Sequence, residues 1–189
     1  MRNVLAALRR LFHAVLLGLV GAGIVHIVVL LLVPEFSERD AWSRLSMASD
    51  LYRMNRLDAE AGGAPVVKSV DPLFYATACR FDLEEGMVRI KAPGNVPFWS
   101  VSVYDRNGHN IYSFNDHTAT GGKLDAVVLT PAQMIDVRKD LPEGLQGAIF
   151  VEAPIDEGIF VIRSFVPDDS WKPIVSRFLD QSSCELQDF

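Results

Sequence analysis

Four side chains near the middle of the chain are of the types that ligate metal ions or transfer protons: Asp105, His109, Asp116 and His117. They flank a predicted strand at 111–114, with the first two at one end and the last two at the other. Because a strand rises about 3.3 Å per residue, the two pairs are expected about 15 Å apart. That separation is too large for one tetrahedral metal site. We therefore predict no metal centre and interpret these residues as turn residues.

Other catalytic patterns are also missing from the sequence. There is no Gly-x-Ser-x-Gly elbow, no Cys-x-x-Cys pair and no Cys/His metal spacing. The run Gly121-Gly122-Lys123 lacks the spacing of a phosphate-binding loop. The paired acids Glu84-Glu85, Asp156-Glu157 and Asp168-Asp169 stand beside Gly or Pro, as in solvated turns. The sequence thus favours a non-enzymatic protein without cofactor, and a hydrolase is the weakest alternative.

Aromatic residues suggest one candidate ligand site. Rings on the exposed side of neighbouring strands can line a groove for a sugar or lipid fragment. The candidate groove consists of Trp99, Tyr104, Tyr112 and His109. The competing interpretation is that these rings belong to the core, where most aromatic residues of a small β-domain lie.

The run Leu11 to Val33 contains 23 residues without formal charge. A helix of about 20 apolar residues crosses the hydrocarbon core of a bilayer. Arg2, Arg9 and Arg10 precede the run, so the positive-inside rule places residues 1–10 in the cytoplasm. We predict an uncleaved anchor in a bacterial inner membrane, because a signal peptide has a shorter apolar core and small residues at its cleavage site. The main domain is then periplasmic.

A row of small residues runs along this predicted span. Ala14, Gly18, Ala22 and His26 recur at every fourth position and share one helix face. Small residues let membrane helices approach closely, so this face predicts a protein partner or a second copy of the chain. The alternative is that glycine and alanine are simply common in membrane helices.

Charge excludes some classes of partner. Three of the 18 basic residues precede the anchor, which leaves 15 against 24 acidic residues and a net charge of −9. An acidic surface argues against nucleic-acid binding and against lying flat on anionic lipid. The remaining 155 or so residues are enough for one domain with its own core.

The two cysteines, Cys79 and Cys184, both follow the anchor. Disulfides persist in oxidising compartments, and the even count favours a bond between them. Two separate buried thiols are the alternative, since the sequence does not provide the Cα distance.

The rest of the chain divides into a helix and a β-rich region. Residues 37–62 are predicted to form an amphipathic juxtamembrane helix, capped by Ser37 and ended by Gly62-Gly63. Residues 66–189 contain short β-branched and aromatic runs separated by turn residues, a short helix after Thr130 and a C-terminal helix after Asp168. Asn107-Gly108 predicts a hairpin turn. The predicted strands are Leu73 to Asp82, Met87 to Lys91, Phe98 to Tyr104, Asn110 to Asn115, Ala126 to Leu129, Ala148 to Glu152 and Ile159 to Phe165. The pattern favours a mainly β domain, an antiparallel sandwich or jelly-roll-like fold.

Two segments carry a family resemblance: Asp71-Pro72-Leu73-Phe74-Tyr75-Ala76-Thr77-Ala78, and the strand and turn from Val96 to Gly108 that contain Trp99-Ser100-Val101-Ser102-Val103-Tyr104-Asp105. In these, the chain resembles the small membrane-anchored form of the bacterial domain-of-unknown-function 1254 family. The resemblance implies a β-rich sandwich or jelly-roll-like fold and no established activity. We expect a non-catalytic interaction domain of the cell envelope, with a small-ligand-binding sandwich as the alternative.

Overall fold

A computed structural model of the chain describes residues 2–57, 71 and 73–187. The chain divides into two compact units, residues 1–38 and 39–189. The first unit is helical, and the second contains the β-rich domain together with the end of the first helix.

The N-terminal helix α1 runs from Arg2 to Ala48. Its segment Ala6–Val33 has a mean hydropathy of 2.8 and is 0% buried. Within the described ranges it is the one helix long and apolar enough to cross a membrane. A signal sequence near the N-terminus has the same properties, so the helix is compatible with either role.

The predicted juxtamembrane helix at 37–62 is wrong in both of its boundaries. Helix α1 is continuous through the predicted start and ends at Ala48, where the Ser49 N–H donates to the Leu45 carbonyl. Tyr52 then adopts a positive φ of 59°. The Tyr52 N–H bonds to the Arg80 carbonyl, so pairing with a sheet edge replaces a further helical turn. Residues 58–62 lie outside the described part of the chain.

The β-rich unit is a sandwich of two sheets. The first sheet has the order β1-β2-β8-β4-β5, and all of its pairs are antiparallel. Its strands are β1 (Asn55–Arg56), β2 (Phe74–Asp82), β4 (Trp99–Asp105), β5 (Asn110–Asn115) and β8 (Glu157–Phe165). The second sheet has the order β7-β6-β3-β9, formed by β3 (Met87–Ala92), β6 (Leu124–Leu129), β7 (Ile149–Glu152) and β9 (Ser183–Gln187). Helices α2 (Pro131–Lys139) and α3 (Lys172–Asp180) and two short 3-10 helices, Asp116–Thr118 and Thr120–Gly122, complete the described elements.

The predicted mainly β sandwich is confirmed, and each predicted strand run corresponds to a strand. The differences lie in strands β1 and β9, which were not predicted, and in the parallel pairing of β6 with β7. Strand β1 has only two residues, too few for a periodic signal. Strand β9 exists because residues 183–187 pair with β3, a long-range contact that follows directly after helix α3.

The core forms between the two sheets because side chains alternate along each strand. Trp99, Val101 and Val103 of β4 point inward and are at most 1% exposed. They share one cluster with Val88 and Ile90 of the second sheet. Helix α2 covers the outer face of the second sheet, where Met134 and Val137 pack with Met87, Val127 and Leu129.

A disulfide connects the two sheets through this core. Cys79 lies on β2 and Cys184 on β9, with their Cα atoms 6.5 Å apart. Both residues are buried. The bond closes a loop of 105 residues, so it removes much of the freedom of the unfolded chain.

We expect the double substitution C79A/C184A to lower the free energy of unfolding by about 2–5 kcal/mol, because the unfolded chain regains its loop entropy. The measurement is urea unfolding of the full chain in detergent, followed by the fluorescence of tryptophans that all lie within 39–189. Reduction of the wild-type chain is the control and should cause the same loss. Equal stability of the reduced and oxidised chains would contradict the prediction.

Candidate binding face

The outer face of the first sheet carries a hydrogen-bonded group of polar side chains. Alternation turns Ser102 and Tyr104 of β4 outward, opposite their buried neighbours. The adjoining strands contribute Asn110 and Ser113 of β5 and Arg163 of β8. We call these five residues the polar patch.

The bonds of the polar patch extend across three neighbouring strands. Arg163 Nη2 donates to the Tyr104 hydroxyl at 3.1 Å. Ser113 Oγ donates to Ser102 Oγ at 3.1 Å, and Asn110 Nδ2 donates to Ser113 Oγ at 2.8 Å. Ser102 is only 8% exposed, whereas Asn110, Ser113 and Arg163 are exposed. The patch therefore has a fixed base and a solvent-accessible rim.

The polar patch favours the ionised form of Tyr104. Burial acts to raise the pKa of this phenol, but hydrogen bonds to Ser102, Arg163 and Asn110 and the positive charge of Arg163 outweigh it. The pKa of Tyr104 therefore lies below its ordinary value of 10.0. The patch offers one cation together with hydroxyl and amide groups, a set that can bind hydroxyl-rich or anionic molecules.

The apolar part of the same outer face is covered by the end of helix α1. Trp42 and Leu45 pack on Ala78, Ile159 and Val161. The Trp42 ring also contacts two guanidinium groups, those of Arg80 at 5.2 Å and Arg106 at 5.6 Å from its centroid. Cation–π contacts of this kind add to the apolar burial. The polar patch thus lies beside a covered apolar surface.

The two predicted turn pairs occupy the ends of β5, as the hairpin geometry requires. His109 Nδ1 lies 2.9 Å from Asp105 Oδ2, and His117 Nδ1 lies 3.1 Å from Asp116 Oδ1. Within the described ranges, no group of three or more His, Cys, Asp or Glu side chains could hold a metal ion. Each pair stays at its own turn.

Asp105 organises the turn after β4. Its Oδ1 accepts the backbone N–H groups of Asn107 and His109. Burial acts to raise the pKa of Asp105, but these bonds and the His109 side chain lower it below its ordinary value. This is the local hydrogen bonding expected of an aspartate in a turn.

The four residues of the predicted groove do not meet in one site. Trp99 is 1% exposed, and its Nε1 donates to the Gly122 carbonyl at 2.9 Å. Tyr112 lies opposite Val103, so it follows the inward side of the hairpin, whereas Tyr104 faces outward. His109 lies at the turn. Alternation along the strands separates these side chains, and only Tyr104 belongs to the polar patch.

Sequence reasoning missed the other four members of the polar patch. Ser102 could have been identified from the sequence, because it alternates with the apolar residues Val101 and Val103 and so faces outward. Arg163 could also have been identified, because it is the exposed charged residue within the otherwise buried run of strand β8. The contact between these side chains depends on β4 lying between β8 and β5, and this strand order cannot be predicted from hydropathy.

The row of small residues on α1 lies in the first unit. Ala14, Gly18, Ala22 and His26 are all exposed. A Cβ atom added at Gly18 would meet nothing within 4 Å in the described chain. The row is accessible to another helix.

Comparison with known proteins identifies a family but no activity. The model of a family described as "Protein of unknown function (DUF1254)" matches residues 51–185. The crystal structure of the VPA0106 protein from Vibrio parahaemolyticus is similar, with a TM-score of 0.56 and 11% identity over 80% of this chain and 35% of that one. A second structure, an uncharacterised protein from Burkholderia cenocepacia, gives a TM-score of 0.46 and 12% identity over 73% and 38% of the two chains.

The first of these structures supports the fold alone, since its sequence identity is so low. The chain spans little more than a third of the length of either solved protein. No curated protein matches the sequence.

We expect R163Q to raise the pKa of Tyr104. Burial raises this pKa, and the variant lacks the positive charge of Arg163 that lowers it. The measurement is a pH titration of phenolate absorbance, taken as the difference from Y104F. Because the folded-state pKa lies below that of the unfolded chain, the wild type should lose stability relative to Y104F as the pH falls through the folded-state pKa. R138Q, on exposed α2, is the matched control and should leave the titration unchanged. A titration in R163Q identical to that of the wild type would refute the role of Arg163.

Proposed function

The chain belongs to the DUF1254 family, and from this premise we propose that it is a single-pass membrane protein whose periplasmic β-domain is a non-catalytic interaction domain of the bacterial cell envelope. The observation that carries the proposal is the buried Cys79–Cys184 disulfide in a domain that follows an apolar helix. Such bonds persist on the oxidising side of a membrane. The three arginines before the span support the same orientation.

The arrangement of titratable groups supports recognition rather than catalysis. The described acid–base pairs at Asp105–His109 and Asp116–His117 bond locally in separate turns. Arg106 is held by Glu157 at 2.6 Å in a further ion pair. A general acid–base mechanism needs such groups to converge on one reacting atom.

A second candidate function is the binding of a sugar or lipid fragment at the polar patch. The favouring observation is the contact between Tyr104 and Arg163 beside two serine hydroxyls. These groups offer both donors and acceptors on a fixed sheet surface, which suits a polyhydroxylated ligand. In this second proposal, the polar patch is the surface of the domain that contacts the ligand.

The proposed orientation predicts that M47C reacts with a membrane-impermeant maleimide in spheroplasts, because Met47 is 81% exposed and follows the span. A7C, at the cytoplasmic end, is the control and should react only after lysis. Intact mass should show the uncleaved chain. Labelling of A7C but not M47C would reverse the orientation, and loss of the N-terminal residues would identify a signal sequence instead.

The proposed partner contact through the span predicts that G18L reduces association of the full chain in detergent, because leucine keeps two helices apart. The measurement is the oligomeric state by sedimentation, together with cross-linking in native membranes. G23L is the matched control, since residue 23 lies about 140° around the helix from residue 18. Equal association of the wild type and G18L in both measurements would refute a contact on this face.

A further inference from the structure

A cleft at one end of the second sheet has the composition of an anion site. It has a volume of about 330 Å³ and is lined by Lys91, Lys123, Gln181 and Ser183 over an apolar floor of Ala92, Pro93 and Leu124, with Asp125 at its side. This volume lies within the range of small-molecule sites, about 300–1,000 Å³. The cleft is distinct from the polar patch, which lies on the other sheet.

The elements that line the cleft are rigid. Lys91 lies on β3, between β6 and β9, opposite Asp125 and Ser183. Ser183 directly precedes the disulfide-bonded Cys184. Gln181 ends helix α3, and its N–H donates to the Arg177 carbonyl at 3.0 Å. The backbone positions that carry Lys91, Gln181 and Ser183 are therefore set by the fold before any ligand arrives.

Lys123 is also positioned by the core. It follows Gly122, whose carbonyl accepts the Trp99 indole N–H. Gly121 and Gly122 have φ values of 70° and 69°, a conformation that L side chains adopt rarely. The turn and its anchor thus bring the backbone of Lys123 to the edge of the cleft.

The acidic groups around the cleft are already engaged. Both oxygens of Asp125 accept bonds from Arg89, at 2.9 and 2.8 Å. Asp180, beside Gln181, pairs with Arg56 at 2.7 Å. Lys91 and Lys123 make no ion pair with any described residue and are exposed. Two uncompensated positive charges therefore face the same cleft in a domain of negative net charge.

We propose that this cleft binds the phosphate group of a small organic ligand. A phosphate monoester carries a charge of about −1.5 to −2 at neutral pH. The two lysine charges therefore balance a phosphate monoester better than they balance a carboxylate, which carries a single charge. Ser183 and Gln181 supply further donors, and the apolar floor accommodates the organic part. The same chemistry fits a soluble phosphate monoester and the monoester headgroup of phosphatidic acid.

The test is calorimetric titration of the full chain in neutral detergent with two monoester probes, glycerol 3-phosphate and dihexanoyl phosphatidic acid. We expect saturable binding of at least one probe, and K91Q/K123Q should weaken it about tenfold or more. Tighter binding of the first probe indicates a soluble ester, and tighter binding of the second indicates a headgroup. Either result supports the site if it depends on the lysines.

Two further variants separate the site from general charge effects. K139Q/K172Q removes the same charge from lysines paired elsewhere, with Asp136 and Asp169, and should bind as the wild type does. K91R/K123R keeps both charges and should retain binding, which guards against a folding defect. Absence of saturable binding to the wild type, or equal weakening in K139Q/K172Q, would overturn the proposal.

Discussion

Packing of the two sheets against each other is the constraint on which the other features of the domain depend. The inward side chains of β4 and β8 meet those of β3 and β6 in one continuous core, and the Cys79–Cys184 bond ties β2 to β9 through it. Because side chains alternate along a strand, burial of one set of side chains in the core turns the intervening set outward. The outer surfaces and their chemistry follow from this alternation.

The outer face of the first sheet has an apolar part that helix α1 covers and a polar part that is exposed. Its apolar residues are buried by Trp42 and Leu45, and the Trp42 ring contacts Arg80 and Arg106. This contact places residues 42–48 of α1 in the β-rich unit. The polar patch stays accessible beside it, since serine, asparagine and arginine side chains need no apolar cover. In the proposed interaction domain, stability therefore lies in the core and recognition at the surface.

The two proposed binding surfaces differ in their physical character. The polar patch is a flat array of hydroxyl and amide groups around Tyr104 and Arg163. The cleft near Lys91 and Lys123 is concave and carries two charges that no described acid compensates. Both are built on strands or tightly anchored turns, so their geometry is inherited from the sheets.

The sequence by itself determined the apolar span, the strand runs and the sandwich, because hydropathy and alternation are local properties that appear in consecutive residues. It also separated Asp105 and His109 from Asp116 and His117 by strand length alone. It misplaced the helix at 37–62, where Tyr52 and Leu57 pair with β2. Only the tertiary structure decided that the Trp99 indole reaches the Gly122 carbonyl, that Arg163 reaches Tyr104, and that Lys91 and Lys123 share a cleft. These outcomes depend on strand order and on contacts between distant residues, which no local pattern in the chain records.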